Sequence, residues 1–164
     1  MIALVRVDNR LVHGQVLVTW APHVKARRIV IADDEAARSP LARAAMTLAL
    51  PPGLEAEIEP LGRIDWKALA AAPAPVLVLV RDVADLERAR EAGLTPGLVP
   101  LLNLGNVHYS PGRRQITPSV FLSGDELEAL RRLAGAGFSV EARAVPLDAP
   151  VALAEIERRF AAAG

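Results

Sequence analysis

The chain has 164 residues, 52% of them hydrophobic, with 19 basic side chains balanced by 19 acidic ones. That length suits one domain with a sizeable core, and the even charge gives no electrostatic reason to expect nucleic acid or an anionic membrane surface as partner. Cysteine is absent, which excludes a disulfide framework, a thiolate nucleophile and a cysteine-based zinc site. No apolar run approaches the roughly 20 residues of a membrane span, and the N-terminal run is charged too soon for a signal peptide. A soluble, cytoplasmic protein is the expectation.

Ile2 to Val7 is a β-type run rich in branched side chains, ended by the turn formers Asp8 and Asn9. From Gln15 the residues Val16, Leu17, Trp20, Ala21 and Val24 follow helical spacing, with Pro22 limiting that helix. Arg28 to Ala32 reads as a second strand, apolar after its first residue and so expected to be buried on both faces, and it stops at Asp33-Asp34-Glu35. Ser39-Pro40 supplies a cap followed by proline at the first helical position, predicting a helix over Leu41 to Leu50 that Pro51-Pro52-Gly53 breaks. Leu54 to Ile58 alternates apolar and acidic residues, the pattern of a half-exposed strand near a sheet edge. Ile64 to Ala72 predicts a short helix, and the apolar run Val76 to Val80 a strand at the centre of a parallel sheet. Val83 to Ala92 follows as an amphipathic helix ended by Gly93.

Leu98 to Leu104 predicts a fifth strand, with Pro100 in its first residues, and Gly105 to Arg114 a polar loop. Gln115 to Phe121 reads as a short strand interrupted at Pro118. Ser123 caps a helix to about Ala134, with Glu126 where a capping box asks for a carboxylate. Phe138 to Val145 alternates like a last strand, and Val151 to Ala163 is a final helix. The alternation predicts an α/β fold: a single three-layer α/β/α domain over residues 1–164, its mainly parallel sheet of six to seven strands covered by helices on both faces.

In such a sheet ligands bind beyond the carboxyl ends of the strands. Three polar clusters fall there: Asp8–Gly14, Asp33–Glu35 and Gly105–Arg114. Neither G-x-x-x-x-G-K-[ST] nor G-x-G-x-x-G occurs, no G-x-S-x-G elbow is present, and no two of the three histidines stand at a ligand spacing, so no metal site or cofactor is expected. His13 is different. With a helix opening at Gly14, its imidazole lies where unpaired backbone N–H groups and the positive end of the helix dipole converge, a place that favours an added anion. A neutral imidazole there is a nucleophile for phosphorus. Arg10, three residues earlier, offers a fork-shaped donor to phosphoryl oxygens, and Gly14 presents no Cβ to an approaching group. Asp8 can orient the ring through its other N–H, or simply pair with Arg10.

On spacing alone, a solvated or capping histidine with an ordinary surface arginine accounts for His13 and Arg10 equally well. His23, beside Pro22 in the helix, carries no such context. His108 sits on a loop expected to overhang the same strand ends, and Asp33 and Asp34 suit capping the next helix as well as shaping the site.

The stretch Arg6-Val7-Asp8-Asn9-Arg10-Leu11-Val12-His13-Gly14-Gln15-Val16 resembles the signature of the enzyme IIB subunits of the mannose/sorbose family of the bacterial phosphoenolpyruvate-dependent sugar phosphotransferase system. Asn103-Leu104-Gly105-Asn106-Val107-His108-Tyr109-Ser110-Pro111-Gly112-Arg113-Arg114-Gln115-Ile116 resembles that family's second glycine-containing loop, in a form closest to the N-acetylgalactosamine-type members. The resemblance implies a parallel α/β fold and a histidine, at His13, that takes a phosphoryl group from the phosphohistidine of a IIA partner. It implies onward transfer to a hexose or amino-sugar held by membrane IIC and IID subunits, with the protein docked on them at the inner face of the membrane. The family's phosphate-binding arginine matches Arg10 and its phosphate cradle Gly14 with neighbouring amides, while Asp8, Asn9, Gln15, Asp33, Asn106 and His108 are expected as site walls. A regulatory module that uses the same phosphohistidine as a signal and transports nothing is the alternative function. The alternating edge strand and apolar C-terminal helix offer surfaces for a second copy, so a homodimer is a further expectation.

Overall fold

The computed structural model describes residues 1–164. Its strands are β1 (Ile2–Asp8), β2 (Arg28–Ala32), β3 (Glu55–Glu59), β4 (Val76–Val80), β5 (Leu102–Asn106), β6 (Arg114–Thr117), β7 (Val120–Leu122), β8 (Val140–Ala142) and β9 (Val151–Ala152). The helices are α1 (Ala21–His23), α2 (Asp34–Arg38), α3 (Pro40–Leu48), α4 (Trp66–Ala70), α5 (Val83–Glu91), α6 (Gly124–Gly135) and α7 (Leu153–Ala162). Seven strands form one sheet in the order β3-β2-β4-β1-β5-β8-β9, parallel throughout except for β9, which runs antiparallel to β8. The acidic alternating strand β3 is at an edge, as its half-exposed pattern predicts, while β4 lies between β2 and β1 with all five residues buried.

Strand alternation sends successive side chains to opposite faces. Val76, Val78 and Val80 join Val5, Val7 and the inward sides of α4, α5, α6 and α7. Leu77 and Leu79 join Leu4, Ile29 and Ile31 beneath Leu11, Val16, Leu17 and Trp20. The sheet is thus covered on both sides, and no helix is long and apolar enough to cross a membrane. The caps read from sequence form: Ser39 Oγ accepts the Ala42 N–H, and Ser123 and Glu126 bond each other's backbone reciprocally.

Four local expectations need correction. The helical stretch after His13 is not a regular α-helix: Val16–Trp20 is a π-helical turn running into α1. Val16, Leu17 and Trp20 are nonetheless all buried against the sheet. Strand β5 begins at Leu102 rather than Leu98, because Leu98 N–H closes a turn onto Thr95 and Pro100 has no N–H to give a ladder. It also runs on through Gly105 to Asn106, paired with Asp8, so the polar loop is shorter than expected. Gln115 to Phe121 is a hairpin, β6 and β7 pairing antiparallel around Pro118-Ser119. The ends of the last two segments also shift: β8 is confined to Val140–Ala142, and Val151–Ala152 pairs with it as β9 before α7 starts.

Candidate functional site

The site is assembled where β1 ends. Asp8 C=O accepts the Leu11 N–H at 2.9 Å, closing a tight turn, and Asp8 Oδ1 accepts the Arg10 N–H at 3.1 Å. Leu11 takes a left-handed backbone (φ 55°) while its side chain is buried in the core. That conformation is costly for a branched side chain and persists only where packing enforces it. The turn delivers His13 to the start of the helical stretch, where its C=O accepts the first helical bond, from Leu17 N–H at 3.2 Å.

His13 Nε2 lies 2.8 Å from Asp8 Oδ2, and the ring is only 15% exposed. A carboxylate is an acceptor only, so the protonated ring nitrogen is Nε2 and Nδ1 carries the free lone pair. Arg10 approaches the other oxygen of that carboxylate, 53% exposed, with Nε 3.7 Å from Asp8 Oδ1 and Nη2 3.5 Å from Gln15 Oε1. These loose contacts leave its fork free for another anion.

Asp8 itself has no exposed surface, and its charge is offset by a residue that sequence reasoning quoted but gave no role: Arg6, equally buried, donates Nη2 to Asp8 Oδ2 at 3.2 Å. Burial lowers the Arg6 guanidinium from its usual value and Asp8 acts in the opposite sense; it remains a cation. Arg6, Asn103 and Glu141 are cross-strand neighbours on β1, β5 and β8. Arg6 Nη1 donates to Asn103 Oδ1 at 2.7 Å and Asn103 Nδ2 to Glu141 Oε1 at 3.0 Å. The available signal was a cation and an amide inside runs otherwise apolar enough for buried strands, since such groups are almost never buried unpaired.

The other expected residues divide. Asn9 is a staple: its Nδ2 donates to Arg81 C=O at 2.9 Å and its Oδ1 accepts His108 N–H at 2.6 Å, tying together the loops after β1, β4 and β5. Asn106 is beside Asp8 in the sheet register, and His108 has an exposed side chain on the same rim. Asp33 serves the scaffold: it accepts both arms of Arg81 at 2.8 Å and caps α2 through the Ala36 N–H at 2.7 Å. Burial alone would raise its carboxyl, but these hydrogen bonds prevail and hold it below the usual range. At Gly14 a Cβ would meet nothing within 4 Å, so the fold's own packing does not demand glycine. Gly105 is the demanding one: a Cβ there would lie 1.8 Å from Arg6 Cζ. His23 is remote in role, exposed and edge-on to Trp20.

Comparison with known proteins places this arrangement. The profile of the PTS system sorbose subfamily IIB component matches residues 2–162. The N-acetylgalactosamine-specific phosphotransferase enzyme IIB component 2 of Escherichia coli is 32% identical over 155 residues, covering 93% of this chain and 96% of that protein. The mannose-specific EIIAB component of Escherichia coli is 28% identical over 150 residues, covering 90% of this chain, which spans 46% of that longer protein. The crystal structure of manxB from Thermoanaerobacter tengcongensis superposes with a TM-score of 0.85 at 28% identity, covering 98% of this chain and 96% of its own. With the matching profile spanning nearly every residue from β1 to the end of α7, the chain belongs to the sorbose subfamily of phosphotransferase-system IIB components.

Proposed function

We propose that this chain is a phosphocarrier that takes a phosphoryl group from the phosphohistidine of a IIA protein onto His13 Nδ1 and delivers it to a hexose or amino-sugar held by membrane IIC and IID subunits. The observation that carries the reading is the hydrogen bond from His13 Nε2 to buried Asp8, which leaves Nδ1 as the open nitrogen, with Arg10 held loosely against the other oxygen of the same carboxylate. In the first step a bond forms from Nδ1 to phosphorus as the N–P bond breaks in the donor, a phospho-imidazolium protonated on its other ring nitrogen, and the donor imidazole leaves neutral. No proton moves in that exchange: the proton stays on Nε2, hydrogen-bonded to Asp8, whose charge faces the ring as it becomes a phospho-imidazolium. Arg10 meets the phosphoryl oxygens, and the N–H groups at the start of the helical stretch add donors without reorganisation. In the second step a sugar hydroxyl takes the phosphoryl group, the N–P bond breaks, and the hydroxyl proton is taken up outside this chain.

Incubation with phosphoenolpyruvate, the general phosphocarriers and a IIA protein tests the reading. One acid-labile phosphoryl group on His13 is expected, discharged by membranes bearing IIC and IID together with an accepted sugar. Absence of label, or label that survives His13→Ala, would overturn it.

A further inference from the structure

We propose that Arg6 is a positioning residue that decides which nitrogen of His13 is phosphorylated; the proposal rests on the phosphohistidine reading of His13. Arg6 Nη2 and His13 Nε2 bond the same oxygen, Asp8 Oδ2, at 3.2 and 2.8 Å, while the Arg10 N–H holds Oδ1 at 3.1 Å. The carboxylate is therefore pinned at both oxygens, and it is Arg6 that fixes the one the imidazole uses.

Both terminal nitrogens of Arg6 are held, while its buried Nε has no partner. Nη1 donates to Asn103 Oδ1 at 2.7 Å and to Arg143 C=O at 3.1 Å, Nη2 also donates to Ala144 C=O at 3.1 Å, and the guanidinium lies 5.0 Å from the centre of the Trp20 ring. The Trp20 indole N–H is fixed in turn on Ala144 C=O at 2.8 Å. Gly105 forms the floor, with no side chain to displace the fork. An exposed ion pair contributes too little to lock a carboxylate in one rotation. A fully buried guanidinium with four hydrogen bonds does lock it, because every alternative strands a charge away from water. A locked Asp8 keeps the proton on Nε2, and a ring with Nε2–H can accept phosphorus only at Nδ1. Loosening Arg6 frees the carboxylate to turn, admits the Nδ1–H tautomer, and opens Nε2 to the phosphoryl group.

Two variants displace the guanidinium in independent ways. Arg6→Lys keeps the charge but loses the fork, and Gly105→Ala leaves Arg6 in the sequence while pushing its guanidinium aside. Nitrogen-15 NMR of the His13 ring reads the tautomer without any phosphotransfer partner, and phosphorus-31 NMR of the denatured phosphoprotein reads which nitrogen carries the group. The wild-type chain should show the Nε2–H tautomer and phosphorus on Nδ1. Both variants should show mixed tautomers and a share of phosphorus on Nε2. Their phosphorylation should slow by about 10- to 100-fold, the range found when the partner that orients a metal-bound histidine is removed. Folded variants that keep one tautomer and label Nδ1 alone would refute the proposal, and so would a wild-type ring protonated at Nδ1, whether or not the variants fold. A wild-type chain with the Nε2–H tautomer that takes no phosphoryl group at all would instead sink the phosphohistidine reading.

Discussion

Arg10 and Asp8 are adjacent in the site yet opposite in kind. Arg10 is half exposed and bonded only at the limits of hydrogen-bond distance, so Arg10→Ala should leave stability within about 0.5 kcal/mol of the parent. On the proposed chemistry it should nonetheless slow phosphoryl transfer by about 100-fold or more, because a donor aimed at developing phosphoryl charge is lost. Thermal melting and the rate of label uptake separate the two effects. Gly14 makes a complementary case. Its Cβ space is empty of protein atoms, so Gly14→Ala should fold with near-parental stability, and any loss in phosphorylation measures the use of that space by the incoming group. Asp8, His13 and Arg10 were legible in the sequence because a polar turn between an apolar strand and a helix is short enough to place its own side chains. Arg6 was not, although its charge stood inside the strand: its partners Asn103 and Glu141, and the carbonyls of residues 143 and 144, come from distant segments that only the sheet order brings alongside.

Among the elements, those with strong local signals formed as read. The apolar runs became buried strands, and the caps at Ser39 and Ser123 were made. What escaped was set by geometry without a local signature. The π turn keeps the apolar spacing that also describes an α-helix, and β9 is two residues recruited by β8 rather than by its own pattern. The end of α1 supplies a test at this scale. Ala26 N–H bonds Ala21 C=O at 2.8 Å and Lys25 N–H bonds Pro22 C=O at 3.0 Å, the paired bonds of a Schellman motif, with Lys25 left-handed at φ 55°. Glycine is at ease there and lysine is not, so Lys25→Gly should raise unfolding free energy by about 0.5–1 kcal/mol in a denaturant titration, even though it removes a whole side chain.

For the molecule as a whole, the strand-end loops form one connected rim. Asn9 joins the loops after β4 and β5, and Asp33 beneath Arg81 secures the next loop along. Asp33 makes the rim sensitive to acid. Its folded carboxyl titrates below the unfolded value of about 3.9, so its contribution to stability is fully present above that pH and is lost as pH falls through the folded value. Melting temperatures measured between neutral pH and about pH 3 should fall less steeply in Asp33→Asn, which has no carboxylate to protonate. The buried clamp has a consequence in time. Arg6 lies near the start of the chain, but one of the carbonyls it grips is 138 residues further on. A chain emerging from the ribosome therefore carries His13 and Arg10 early, but the carbonyls that hold Arg6 arrive only after β8, and on the role proposed for Arg6 the ring's proton is not locked before then. On the proposed chemistry, full competence to draw on a phosphoryl donor waits for the whole domain, and an unfinished or half-folded chain draws on that donor slowly and without choosing one nitrogen.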